Sequence, residues 1–258
     1  MPEPSSVLIQ RDEDVLIVTI NRPQARNAVD SATATALTAA FQEFDNDGSL
    51  SVAILTGAEG TFCAGADLRE VATGNRRLTL RDEDGPMGPT WRLLSKPVIA
   101  AVEGHAVAGG LELALWCDLR VAARDAVFGV YCRRFGVPLI DMGTVRLPRL
   151  IGQSHALDLI LTGRGVSGDE ALRMGLTNRL VEPGQALEGA LQLARTLAEL
   201  PQMCLRSDRA SAYEQWELSW QEARLNEFEH GLEVLSSGES VAGAQRFASG
   251  EGRHGAPK

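Results

Sequence analysis

Lysine is nearly missing from this chain. Lys96 and Lys258 are the two among 258 residues, and every other basic side chain is arginine. A polybasic lysine patch for nucleic acid or anionic lipid is therefore excluded. The net charge of −9 argues the same way, because a phosphate-backbone binder carries a basic footprint. Cysteine is sparse and scattered: Cys63, Cys117, Cys132 and Cys204 form no C-x-x-C pair. That removes zinc ribbons and thioredoxin-type chemistry and speaks against a disulfide framework. The opening residues, Met1-Pro2-Glu3-Pro4-Ser5-Ser6, show neither the basic nor the apolar region of a secretory signal. The richest apolar stretch, 97–116, is broken by Glu103, His105 and Glu112, so it is no bilayer span. A cytoplasmic protein is the expectation. No G-x-x-x-x-G-K-[ST] occurs, and 104–109 lacks the middle glycine of a dinucleotide fingerprint.

What is present reads as alternating strand and helix. Residues 7–10 and 15–20 are β-branched runs separated by Arg11-Asp12-Glu13-Asp14, which predicts a hairpin. Residues 21–28 are a loop punctuated by proline and asparagine. A helix over 31–45 follows from Leu37, Phe41 and Phe44 at helical spacing, with Ser31 placed to cap it. A strand (52–56), a Gly-rich loop (57–67), a polar stretch read as the mobile segment (69–89), a short helix (91–95) and an apolar strand (98–102) come next. A second small-residue loop (104–110) then runs into a helix (110–117) and a strand (119–123). This alternation indicates an α/β layer architecture with buried strands. Beyond 167 the pattern turns helical, over 169–174, 186–200, 202–213, 217–235 and 241–249. The reading is an α/β body, 1–200, with a helical region, 201–258.

Two loops carry the candidate chemistry: Thr61-Phe62-Cys63-Ala64-Gly65-Ala66-Asp67-Leu68 and Gly104-His105-Ala106-Val107-Ala108-Gly109-Gly110-Leu111-Glu112. Small residues let the backbone approach a ligand, and free N–H groups at a helix start attract negative charge. Two such groups converging on one oxygen make an oxyanion hole. Glu112, three residues past Gly109, sits over the same helix face. Taken alone, the loops fit equally well as tight turns beside a solvated first-turn glutamate.

Together and in this order, these loops resemble the enoyl-CoA hydratase/isomerase (crotonase) superfamily. Asn21-Arg22-Pro23 with Ala25-Arg26-Asn27-Ala28 resembles its coenzyme A loop. Lys96-Pro97-Val98-Ile99-Ala100-Ala101-Val102 resembles its strand before the second oxyanion residue. Glu112-Leu113-Ala114-Leu115-Trp116-Cys117-Asp118 resembles its E-L-A-x-x-C-D helix, and Leu161-Thr162-Gly163 with Ala171 and Gly175-Leu176 its later segment. The resemblance implies a crotonase-type spiral of ββα units with a helical C-terminal oligomerisation region that builds homotrimers, often stacked as hexamers. It implies that the Ala66 and Gly109 amides hold a thioester oxygen. Arg22, Ala25, Arg26, Ala28, Ala64, Gly65, Asp67 and Leu68 would line the path of coenzyme A, which is part of the substrate. No separate cofactor and no metal are implied, since the thioester is the electron sink.

The implied activity is hydro-lyase chemistry on a fatty or carboxylic acyl-CoA, adding water to a 2-enoyl-CoA with Glu112 as acid/base. The chain departs from the family at the second glutamate, where it holds Cys132 between Phe128 and the Arg133-Arg134 pair. An Arg-flanked thiolate is a nucleophile more readily than a base, and the bland alternative is a small half-buried filler. Asp141 is the candidate second acid/base, its alternative being the N-cap of the helix after Met142. A double-bond isomerase or other single-carboxylate enolate reaction is the second reading, and a catalytically lapsed acyl-CoA-binding subunit the third. The remaining residues read as structural: His105 at the loop rim, Asp118 at a helix end, Arg146 and Arg149 at a turn or a subunit contact. Trp216 and Trp220 read as a helix-packing stripe. His155, His230 and His254 have no metal-ligand spacing.

Overall fold

The computed structural model describes residues 5–74 and 84–251. Its strands are β1 (Val7–Asp12), β2 (Val15–Ile20), β3 (Val52–Gly57), β4 (Val98–Val102), β5 (His105–Val107), β6 (Leu119–Ala123), β7 (Val127–Gly129), β8 (Gly165–Ser167) and β9 (Arg179–Val181). Its helices are α1 (Ser31–Asn46), α2 (Leu68–Thr73), α3 (Gly109–Trp116), α4 (Gly143–Ile151), α5 (Gln153–Thr162), α6 (Gly168–Arg173), α7 (Ala186–Ala198), α8 (Gln202–Glu214), α9 (Trp220–Ser237) and α10 (Glu239–Ser249). The chain divides into two compact units, 1–197 and 198–258. The first is a mixed α/β body and the second, as far as it is described, is helical. Residues 75–83 of the stretch read as mobile (69–89) lie outside the described residues, as does His254.

In the first unit a six-stranded sheet runs β1-β2-β3-β4-β6-β9, parallel except for the β1–β2 hairpin. The middle strands β3 and β4 are buried and apolar on both faces apart from Thr56 and the half-buried Gly57, as parallel strands covered by helices are. A second sheet, β5-β7-β8, grows from the same chain turns. β4 ends, the chain bends at Gly104 with φ +53°, and β5 starts one residue later. β6 passes to β7 in the same way, so each passage feeds one strand to each sheet before a helix follows.

Several expectations are corrected here. α1 is capped by Asp30, whose carboxylate accepts from the Thr33 amide, and not by Ser31. The helix expected over 91–95 is a 3-10 turn at Pro89–Trp91, because Gly88 enters it at φ +97° and Pro97 closes the stretch beyond. The second Gly-rich loop contains β5. Trp216 lies on a 3-10 turn and Trp220 opens α9, so they share no helix stripe, and Trp220 is 82% exposed.

Two buried cations hold the core's main chain. Lys96 donates to the carbonyls of Phe44 (2.8 Å) and Asp47 (2.6 Å), closing the C-terminus of α1. Arg120 is 2% exposed and donates to the carbonyls of Leu176 (2.7 Å), Cys117 (2.7 Å), Ala114 (3.2 Å) and Asp118 (3.3 Å). It thereby caps α3 and ties it to the approach of β9. Arg120→Met leaves these acceptors buried without a donor, and the expected loss is about 3–5 kcal/mol, read from the urea midpoint. An unchanged midpoint would show that the carbonyls find other donors.

Candidate active site

The two Gly-bearing loops meet because the first one pairs with β5. Phe62 N–H donates to Glu103 O (2.8 Å), Cys63 N–H to His105 O (2.8 Å), and Val107 N–H to Cys63 O (3.1 Å). This brings Gly65 and Ala66 against Ala108 and Gly109. A Cβ on Gly65, whose φ is +100°, would stand 2.9 Å from the Gly109 nitrogen, so only glycine permits the approach. Ala108 adopts φ +54°, ψ −127°, a sparsely populated conformation that sets the direction of the next amide. Gly109 opens α3, so its N–H has no intrahelical acceptor. Among the described residues neither the Ala66 nor the Gly109 amide donates to a protein acceptor. Both residues line one cavity of about 90 Å³.

Glu112 lies one turn further along α3 and lines the same cavity while only 2% exposed. Its Oε1 accepts from the main-chain amides of Asp141 (2.8 Å) and Gly143 (2.9 Å). Its Oε2 has no hydrogen-bond partner among the described residues. Burial, and then the neighbouring Asp141 carboxylate, push its pKa up from the ordinary 4.5 to about 7. A carboxyl that changes protonation near neutrality suits general acid/base work.

Asp141 and Cys132 complete this wall. The N-cap of α4 is Met142, at φ +70°, so Asp141 does not cap that helix. Its buried carboxylate turns to the 84–91 segment instead, where Oδ1 accepts from Met87 N–H (2.9 Å) and from the Thr90 hydroxyl. Cys132 is buried, which fits the small-filler alternative better than an Arg-flanked thiolate. Arg133 donates to Ile160 O and Arg134 to Gly163 O, with the Arg134 guanidinium over the Tyr131 ring. Both head groups are therefore engaged outside the cavity. Burial and the Glu112 charge raise the Cys132 pKa, so the residue is a neutral thiol. The rest of the lining is mostly apolar, including Leu68, Met87, Phe135, Val137, Pro138 and Ile140.

The model of the family described as enoyl-CoA hydratase/isomerase matches residues 10–251. The chain belongs to this family. An enoyl-CoA hydratase of Mycobacterium tuberculosis, EchA19, is 37% identical over 93% of this chain and 92% of its own length. The short-chain-enoyl-CoA hydratase of Clostridium acetobutylicum is 40% identical over 76% of both chains. Among solved structures, the enoyl-CoA hydratase EchA1 of Mycobacterium marinum superposes with a TM-score of 0.89 at 39% identity, covering 95% and 96% of the two chains. These likenesses establish the crotonase fold expected from the sequence.

Of the residues that the enoyl-CoA hydratase/isomerase resemblance selects, Ala64, Ala66, Leu68, Gly109, Glu112, Cys132 and Asp141 share the cavity. Arg22, Ala25, Arg26, Ala28, Gly65 and Asp67 do not line it; they build the neighbouring loop. Arg22 donates to Ala28 O (2.5 Å) and pairs with Asp67 (3.0 Å) and Asp30 (2.9 Å), so its guanidinium is tied within the protein. Arg26 is exposed, at φ +52°, and its carbonyl accepts from Ala64 N–H (3.1 Å). The buried Asn27 fixes this loop by donating to Ala58 O and Thr61 O.

Sequence reasoning missed Met87, Thr90 and the Gly143 amide. No local pattern marks them, since each acts on a residue at least thirty positions away. Arg146, read as positioning a turn, does so through the carbonyls of Asp141 and Thr90. His105 is exposed at the loop and Asp118 accepts from Val98 N–H. Among the described residues no group of three or more His, Cys, Asp or Glu side chains is placed to hold a metal ion. No described helix is long and apolar enough to cross a membrane.

Proposed function

We propose that this chain is an enoyl-CoA hydratase-like lyase that adds water to a 2-enoyl-CoA. One observation carries the reading: two amides without an acceptor among the described residues, of Ala66 and Gly109, and a buried carboxyl titrating near neutrality, Glu112, line one small apolar cavity. The amides receive the thioester oxygen as it gains charge, each such donor being worth about 3–4 kcal/mol in the transition state. Water oxygen bonds to Cβ and a proton reaches Cα, with Glu112 and Asp141 as the acid/base pair. Coenzyme A arrives as part of the substrate along the 22–28 loop and the 64–68 segment, and the thioester itself serves as electron sink. The names of the relatives support this reading.

The working form is a homotrimer, or a hexamer of two trimers, built by the helical region 201–258 on the crotonase core 1–200. Exposed Trp220, Phe228 and Leu235 on α9 support an oligomerising role. The acidic charge and the four free thiols fit a cytoplasmic enzyme.

A second reading, double-bond isomerisation, is favoured by Cys132: a neutral thiol stands where the resemblance places the second glutamate. Crotonyl-CoA separates the two. Hydration predicts loss of its conjugated-thioester absorbance, with little action on a 3-enoyl-CoA. Gain of that absorbance from a 3-enoyl-CoA, with crotonyl-CoA untouched, would establish the isomerase. Inertness towards both would leave an acyl-CoA-binding subunit.

A further inference from the structure

We propose that Cys132 is a nucleophile that captures the substrate itself, its sulfur adding to Cβ of a 2-enoyl-CoA to leave a thioether. The inference rests on the reading above, because the group attacked is a conjugated thioester held at the Ala66 and Gly109 amides. Two independent observations carry it: where the thiol stands, and what stands beside it.

The sulfur is held in place and its hydrogen is not engaged. Cys132 is 7% exposed and lines the cavity. It sits on the 3-10 turn Tyr131–Phe135, where its carbonyl accepts from Val137 N–H (3.2 Å). Arg133 and Arg134 pin the same turn to Ile160 O (3.1 Å) and Gly163 O (2.9 Å). Among the described residues no acceptor takes the Cys132 S–H. The other two buried thiols are engaged: Cys117 Sγ donates to Leu113 O (3.4 Å), and Cys63 Sγ accepts from Gly65 N–H (3.4 Å). Neither of those lines the cavity.

The second observation is the carboxyl. Glu112 is 2% exposed and lines the same cavity, with Oε1 held by the Asp141 and Gly143 amides. Oε2 has no partner among the described residues, yet it is not sealed off and keeps surface on the cavity. The charge of this carboxylate acts on the thiol. Burial alone would make Cys132 a filler; a proton acceptor in the same cavity gives it a reaction.

The cavity brings the partners together. It measures about 90 Å³, so an enoyl group anchored by its thioester oxygen keeps Cβ, the next carbon but one, within the same walls. A neutral thiol is a weak nucleophile until a neighbouring base takes its proton. Glu112 is that base, and the two amides activate the acceptor by receiving charge on its oxygen. Confinement then replaces concentration.

The step balances without any further reagent. The Cys132 proton passes to ionised Glu112 Oε2 as Sγ bonds to Cβ, and the π electrons move onto the thioester oxygen. The enolate returns that pair to Cα, which takes the proton from Glu112. S–H has been added across the double bond, and coenzyme A stays attached.

The test is intact-protein mass spectrometry of the full-length chain, incubated with excess crotonyl-CoA and quenched in acid, followed by peptide mapping. Wild type gains the mass of one whole crotonyl-CoA on the peptide that carries Cys132. Cys204→Ala, which lacks the exposed thiol, gains it equally. Cys132→Ala gains none, and neither does wild type with butyryl-CoA, which has no double bond. Gain of a crotonyl group alone, with coenzyme A released, would show acyl transfer and overturn the proposal. A wild type that hydrates crotonyl-CoA and carries no adduct also overturns it, and leaves the hydration reading standing. An adduct without hydration upholds capture and sinks that reading; a wild type that does neither overturns both. If Cys132→Ala does not fold, the mapped wild-type peptides decide alone, and a label confined to Cys204 overturns the assignment.

Discussion

On the hydration reading proposed above, Glu112→Gln lowers kcat on crotonyl-CoA by about 10³-fold while KM changes only a few-fold, because the group removed is the one proposed to move a proton in the transition state and not to bind the ground state. The amide keeps an acceptor oxygen for the Asp141 and Gly143 N–H groups, so the wall of the cavity stays in place. Stability separates this effect from misfolding. The folded chain holds Glu112 at about 7 against an ordinary 4.5. It therefore retains a proton that the unfolded chain releases between those pH values. The stability this contributes is complete below the unfolded value and is lost as pH rises through the folded one. Glutamine has no such dependence. The variant accordingly melts higher than wild type at pH 8, and the gap closes as pH falls towards 4.5. Unchanged turnover would sink the catalytic role of Glu112; with tight acyl-CoA binding by calorimetry, it would identify a lapsed enzyme.

Gly110→Ala tests the proposed oxyanion hole. Its Cβ would stand 2.1 Å from Cys63 O and 2.7 Å from Cys63 C, main-chain atoms that no rotamer change can withdraw. The two loops must part, stretching the Val107–Cys63 and Cys63–His105 hydrogen bonds that bring Ala66 and Gly109 together. Misaligning one oxyanion donor is worth about 10²–10³ in kcat, and we expect a loss of that size with a lowered melting temperature. Gly109→Ala is the comparison. Its Cβ meets the Sδ of Met87 at 2.7 Å, the side chain of a flexible residue, so its melting temperature falls less. Equal melting temperatures for the two variants would show that Gly110 is not what lets the loops approach.

How much of this was legible beforehand follows from the range of each interaction. β2, β3, β4 and α1 declare themselves through apolar runs or helical spacing, signals contained within the segment. The loops bearing Ala66 and Gly109, and the place of Glu112, follow from small residues in an order that resembles the family. β5, β7 and β8 were not legible, because three residues are too few to show alternation and exist as strands only through each other. The surroundings of Cys132 were only partly legible for a related reason. Sequence adjacency put two arginines beside the thiol, but the 3-10 turn at Tyr131–Phe135 sends them to Ile160 and Gly163. The link from Thr90 to Asp141 spans 51 positions and carries no pattern at all.

The burial of Lys96 has a chemical corollary for a protein that handles activated acyl groups. Thioesters acylate free amines spontaneously, and lysine ε-amines are their usual protein victims. Here the Lys96 ammonium is sealed against two carbonyls at the end of α1 and is 2% exposed, which leaves Lys258 as the chain's one other lysine. Guanidinium groups, protonated at any physiological pH, cover the rest of the basic surface and do not attack thioesters. The described surface therefore exposes no lysine amine to a thioester, although Cys204 is an exposed thiol.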